Sequence, residues 1–174
     1  MKEENSNIST QQTITEILPR IEQAIQRVVQ TVSSMSPALT REPLLAGGRS
    51  VKDVLGHLTW WDQWLLVTLP PVAGEPALTI TLPLSDQIPA TTDWADEMNA
   101  KVHIYNKSRE FSVIWGELTA TCDLLLRRVS QLSDKDLYDP AGMASIIGQP
   151  VAPLIYGIYE HYEEHAHEFE RLNS

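Results

Sequence analysis

Near the C-terminal end, Tyr159-Glu160-His161-Tyr162-Glu163-Glu164-His165-Ala166-His167-Glu168-Phe169 gathers three of the chain's five histidines into seven residues. His161 and His165 stand four apart. On an α-helix that spacing puts both imidazoles on one face, with Cβ atoms about 5–6 Å apart. Two imidazoles so placed can grip one divalent ion without bending the backbone. They do not complete a site, because a catalytic zinc-type centre takes three protein ligands and keeps a further position open. His57, far upstream, is the expected third ligand. An ion held this way can activate water, or bind a thiolate or anionic substrate, as a Lewis acid. Imidazole suits zinc and nickel alike, so either is the expected cofactor.

Other readings of the same residues are weaker. His161-Tyr162-Glu163-Glu164-His165 also fits the H-x-x-E-H zinc-protease pattern, with Glu164 as general base. That pattern needs a third ligand well downstream, where only nine residues follow His165, and it leaves His57 unused. Glu164 as an outer partner or proton carrier in another reaction stays open. His167 lies two residues past His165, about 200° around the helix, and should face away. His103 reads as a surface residue. Trp60, Trp61 and Trp64 are mostly core filler, but Trp61, one turn from His57, is a pocket candidate. Tyr159 and Tyr162 flank the histidine pair and can either donate to a bound anion or pack between helices. Cys122 sits in an apolar stripe and reads as inert core. No catalytic acid or base can be named.

These side chains need long helices to carry them. Ile14, Ile17, Leu18, Ile21, Ile25, Val28, Val29 and Val32 recur at helical steps, with Pro19 either starting or kinking that helix. Residues 33–48, with Pro37, Pro43 and Gly47-Gly48, read as a connection. Ser50-Val51-Lys52-Asp53 resembles a capping box. It opens a second helix to about Leu69, with Val54, His57, Leu58 and Trp61 on its buried face, stopped by Pro70-Pro71. Residues 70–92 hold five prolines and read as a long loop, with extended pieces at 78–82 and a position that lets it cover the pocket. Asp93 can cap a short helix from Trp94 to about Lys107. A third long helix begins at Ser112 and ends at Ser133-Asp134-Lys135-Asp136. After a loop marked by Gly142, Gly148 and Pro150, Pro153 suits the first turn of a fourth. Its stripe is Leu154, Ile158, His161, His165, Phe169 and Leu172. The expected fold is an all-α four-helix bundle in a single domain over 1–174, with residues 1–9 frayed. The crossover between the second and third helices is long enough to let them run parallel.

Composition narrows the class. The 174 residues are enough for one real core. The formal charge is −10 and the thirteen basic residues are scattered. No basic stripe is visible, so no nucleic-acid partner is expected. The single Cys122, the lack of an early apolar run and the lack of a membrane-length one make a cytoplasmic protein the expectation, with no membrane contact.

Two stretches carry a family likeness. Arg49-Ser50-Val51-Lys52-Asp53-Val54-Leu55-Gly56-His57-Leu58 resembles the second-helix signature of the DinB/YfiT-like superfamily of metalloenzymes, W-S followed after six residues by H-L. Arg49 stands where Trp is common. His161-x-x-x-His165 resembles the second signature. Residues 93–101 and 132–137 are similar to the ClbS/DfsB branch, whose motif includes Asn99. The resemblance implies an up-down-down-up bundle and a divalent metal on His57, His161 and His165. With Trp61 and Tyr162, read above from their positions, the motif's Asn99 completes the candidate pocket, and the resemblance also implies a homodimer. Some members resemble thiol-dependent transferases and isomerases, and one ClbS-like protein opens a reactive cyclopropane. The expected activity is therefore a metal-dependent hydrolase or transferase on a small reactive molecule, in detoxification or self-resistance. The alternative is a non-catalytic bundle that sequesters such a molecule.

Overall fold

The computed structural model describes residues 12–71 and 94–174. The expected fraying of 1–9, the proline-rich loop and the Asp93 cap fall outside, apart from Pro70 and Pro71. Among the described residues the regular elements are helical: α1 (Ile14–Ser34), α2 (Val51–Thr68), α3 (Trp94–Asn106), α4 (Phe111–Ser130), α5 (Asp134–Tyr138), α6 (Met143–Ile147) and α7 (Val151–Leu172), with a 3₁₀ turn at Ala46–Gly48.

The two capping boxes at the bundle's first helices fix where each begins. Thr13 and Glu16 close the first turn of α1, and the helix runs through Pro19 without ending. At α2, Ser50 Oγ accepts from the Asp53 amide while the Asp53 carboxylate accepts from Ser50 N at 2.9 Å. The third box differs from expectation. Ser133 and Asp136 open the short helix α5 and do not close α4, which stops at Ser130. S-x-x-D supplies acceptors to a helix N-terminus, so it marks a start more naturally than an end. The fourth long helix begins at Val151, placing Pro153 in its first turn.

Helix direction follows from which ends meet. Gln12 N reaches Tyr156 Oη at 3.3 Å at the start of α1 and α7, and Asn173 Nδ2 donates to Ser34 Oγ at 2.8 Å where both end. Those two helices are parallel. Between these ends Arg27 ties them, donating to Glu163 at 2.6 Å and to Glu170 at 2.8 Å. Lys52 Nζ donates to the Arg109 carbonyl at 3.1 Å near the start of α2 and α4, and Arg128 Nη1 donates to the Leu69 carbonyl at 2.8 Å near their ends. That pair is parallel too. Arg49, just ahead of α2, meets Glu168 near the end of α7, so α2 and α7 are antiparallel. The order is the expected up-down-down-up, with the long crossover between α2 and α4 carrying α3. One continuous core fills the bundle, including Ile21, Val28, Leu58, Leu125, Ile155 and Phe169, all essentially inaccessible to solvent.

Candidate metal centre and adjoining pocket

The antiparallel pairing of α2 and α7 sets one helix's start beside the other's end. On α7 the stripe that seats Ile158 and Phe169 in the core also carries His161 and His165. His165 is 3% exposed and His161 only partly covered. On α2, the turn that buries Leu58 aims His57 across the gap. His57 Nε2 and His161 Nε2 lie 2.7 Å apart, and the ring centroids of His57 and His165 lie 5.5 Å apart. One ring nitrogen from each of the three lies within 4.8 Å of the others.

These residues fit a divalent ion. Ligand nitrogens about 2.0–2.1 Å from a tetrahedral ion sit about 3.3 Å from one another, so the closest pair would open by about half an ångström. Two neutral ring nitrogens 2.7 Å apart cannot both present lone pairs to each other. Either one carries the proton that the other accepts, or both turn to a shared cation. Electrostatics favours the neutral, ligating form. Burial first, then His165 and the Arg49 guanidinium, pull His57 down to about 4, with contact to Asn99 acting the other way. Burial, then His57, His165 and Arg49, pull His161 down to about 3.

An outer carboxylate orients the set. His165 Nδ1 is 2.8 Å from Glu168 Oε2, which fixes the ring and leaves Nε2 to face the other histidines. Glu168 is in turn 3.6 Å from Arg49. Glu164, the carboxylate that the H-x-x-E-H reading would use, is exposed to solvent. His167 also faces outward, pairing at 3.6 Å with Glu163 and Glu170. His103 is a surface residue 3.6 Å from Asp53. Nothing in the spacing separated Glu168 from its neighbours, although its i+3 relation to His165 was available.

Beside the histidines opens a cavity of about 370 Å³ between α2, α3 and α7. His57 and His161 form one end, and Trp61, Asp62, Trp64 and Asn99 continue the wall. Trp61 Nε1 donates to Asn99 Oδ1 at 3.0 Å. Tyr162 is placed elsewhere. It is 1% exposed, absent from the cavity wall, donates to Asp62 Oδ2 at 2.5 Å, and lies 3.1 Å from Cys122 Sγ. Its position next to His161 turns it about 100° around the helix, into the core. Asp62 therefore meets the cavity where Tyr162 was expected. Burial pushes the Asp62 carboxyl up to about 7, against the Tyr162 hydrogen bond. Burial likewise raises the Tyr162 phenol and the Cys122 thiol.

With this geometry in place, comparison with known proteins is decisive for family. Residues 20–169 match the sequence profile of the DinB superfamily. The chain belongs to the DinB superfamily. No curated protein matches the sequence. Among solved structures, this DinB chain superposes on the colibactin self-resistance protein ClbS, solved in complex with a dsDNA, with a TM-score of 0.68 and 16% identity over 94% of this chain and 97% of that one. It also superposes on an uncharacterised protein from Escherichia coli UTI89, with a TM-score of 0.64 and 15% identity over 92% of each chain. Both show the same fold.

The ClbS complex corrects one expectation. The exclusion of nucleic acid rested on a net charge of −10 and the lack of a basic stripe. A protein of this fold has been solved on a duplex. Whole-chain charge and linear clustering say little about which cations a bundle surface brings together, so that exclusion is withdrawn. For the membrane, the structure adds that among the described residues no helix is long and apolar enough to cross one.

Proposed function

We propose that His57, His161 and His165 hold one divalent ion, zinc or nickel, and that the protein is a metal-dependent hydrolase or thiol-type transferase. Its substrate is a small reactive molecule bound in the adjoining cavity, and its role is detoxification or self-resistance. The observation that carries this reading is the convergence of three ring nitrogens from two helices inside 4.8 Å of one another, with His57 and His161 also lining a cavity. Each residue has a part. The three imidazoles bind, Glu168 orients His165, and Arg49 adds positive charge that disfavours protonation of the rings. When bound, the ion supplies Lewis acidity to a water, a thiolate or a substrate oxygen.

The test is elemental analysis of protein purified without a histidine tag or nickel resin, beside alanine variants of each histidine. One ion per chain is expected in the wild type. It should be lost in His57→Ala, His161→Ala and His165→Ala. Stoichiometric metal retained in all three would remove the assignment. The mainly apolar cavity also suits the sequestering alternative. Chelator-sensitive turnover of a thiol-conjugate or cyclopropane panel supports the enzyme, and saturable binding without product supports the sequestrant. Duplex DNA joins these small molecules among the ligands to be assayed, on the strength of the ClbS complex.

A further inference from the structure

The cavity's wall combines two features that the metal site does not use. The first is aromatic. The Trp61 ring lies 5.7 Å from Trp64 and 5.4 Å from Trp94, at 74° and 84°, and Trp64 lies 5.9 Å from Trp94. Edge-to-face contacts of this kind hold indoles rigidly at an angle to one another, so their faces form a corner and not a flat stack. Of these rings, Trp61 and Trp64 line the cavity.

The second is a carboxylate without a counter-charge. Asp62 is 4% exposed, yet it lines the same cavity. Oδ2 accepts from Tyr162, while Oδ1 has no hydrogen-bond partner among the described residues. No lysine or arginine contributes to the described cavity wall. A buried carboxylate is costly unless a cation or several donors meet it. Burial is also what raises its pKa to about 7, and a cation beside it would oppose that rise. Indole faces attract cations by their quadrupole, most strongly where water is excluded. Leu65, Pro153, Leu154 and Ile158 offer apolar wall to the rest of a ligand.

We propose that this cavity is built for a substrate carrying an ammonium or quaternary ammonium group, seated between the indoles of Trp61 and Trp64 and the carboxylate of Asp62. The substrate's reactive end then points toward His57 and His161. This deepens the reading of the cavity as a substrate site and names the chemical class that it takes.

The test uses choline and its uncharged isostere 3,3-dimethyl-1-butanol, which match in shape and differ in charge. Binding is followed by tryptophan fluorescence and calorimetry on the full chain, both stripped of metal and loaded with zinc. Choline is expected to bind at least tenfold tighter than the alcohol. Asp62→Asn, which keeps an acceptor for Tyr162, should abolish that preference while leaving the alcohol's affinity unchanged. Trp64→Leu should weaken choline severalfold more than the alcohol. Absence of choline binding, equal affinity for the two probes, or a preference that survives Asp62→Asn would each overturn the proposal. Because the preference is also read in metal-stripped protein, its failure is separate from failure of the histidine site, which is read by metal content.

Discussion

Glu164 and Glu168 are one turn apart on α7, and only Glu168 reaches a histidine. The 2.8 Å contact with His165 Nδ1 decides which tautomer the ring adopts. Losing such an outer partner commonly weakens metal affinity about 10–100-fold. Glu168→Gln should show that loss in a competitive chelator titration, whereas the exposed Glu164→Gln should bind as the wild type does. Equal effects from the two would sink the assignment of roles. Asp62 gives a second residue-scale expectation, read from pH. Its carboxyl is raised from the ordinary 3.8 to about 7 in the folded state, so the native protein holds the proton more tightly than the unfolded chain. Its contribution to stability is therefore present below about pH 4 and lost as pH rises through about 7. The facing groups Tyr162 and Cys122 are held neutral across that range by burial. Asp62→Asn should thus gain stability relative to wild type at pH 8 compared with pH 5, measured by urea unfolding at both. A difference independent of pH would show that Asp62 does not titrate in this window. His57 and His161 act in the opposite sense. Lowered from 6.5, they contribute stability above that value and lose it as pH falls toward about 4 and about 3.

The elements were legible where periodicity is long and obscure where it is short. Four helices follow from apolar steps of three and four, because only a helix turns those positions to one side. The pair His161 and His165 was legible for the same reason. So was the placement of His57 on a buried stripe, since α2 repeats its pattern around it. The five-residue helices α5 and α6 carry too few turns to show a period. Asp62 was invisible because its hydrogen-bond partner, Tyr162, lies 100 residues away on another helix. The closeness of α3 to α2 was equally hidden, and Gly56 makes it. A Cβ there would stand 2.4 Å from Asn106 Nδ2 and 2.6 Å from its Cγ. Asn106 is itself buried, donating to the Val102 carbonyl at 3.0 Å and accepting from Arg109 at 3.0 Å, so it has little room to yield. Gly56→Ala should gain a little helix propensity and lose more to overpacking, a net cost of about 1–3 kcal/mol. In a chain of this size that is a fall in Tm of about 2–4 °C per kcal/mol, read by calorimetry. Because α3 carries Asn99 and Trp94, the same variant should disturb tryptophan fluorescence. An unchanged Tm would mean that α3 is not seated on Gly56.

At the scale of the whole molecule, charge and connectivity lead to different kinds of conclusion. Twenty-three acidic residues against thirteen basic ones leave a strongly negative chain, yet nucleic-acid affinity depends on a few cations placed together and not on the sum. Several cations are already committed inside the fold. Arg27 links α1 to α7, Arg128 caps the end of α2, and Lys52 holds the turn before α4. Connectivity says more about the metal. The proposed ligands come from α2 and α7, whose partners in the parallel pairs are α4 and α1. An ion at their junction therefore ties one parallel pair to the other. Such an ion binds the native chain and not the unfolded one, so it should stabilise the bundle by about 2.7 kcal/mol at a hundredfold excess over Kd. For a chain of this length that amounts to roughly 5–10 °C in Tm. Zinc titrated into stripped protein should produce this rise, growing with the logarithm of free zinc. His161→Ala should remove it, the zinc-dependent rise being read against that variant's own metal-stripped Tm. A Tm that ignores zinc in the wild type would place the three histidines together for a reason other than metal, and the short His57–His161 contact would then be a hydrogen bond alone.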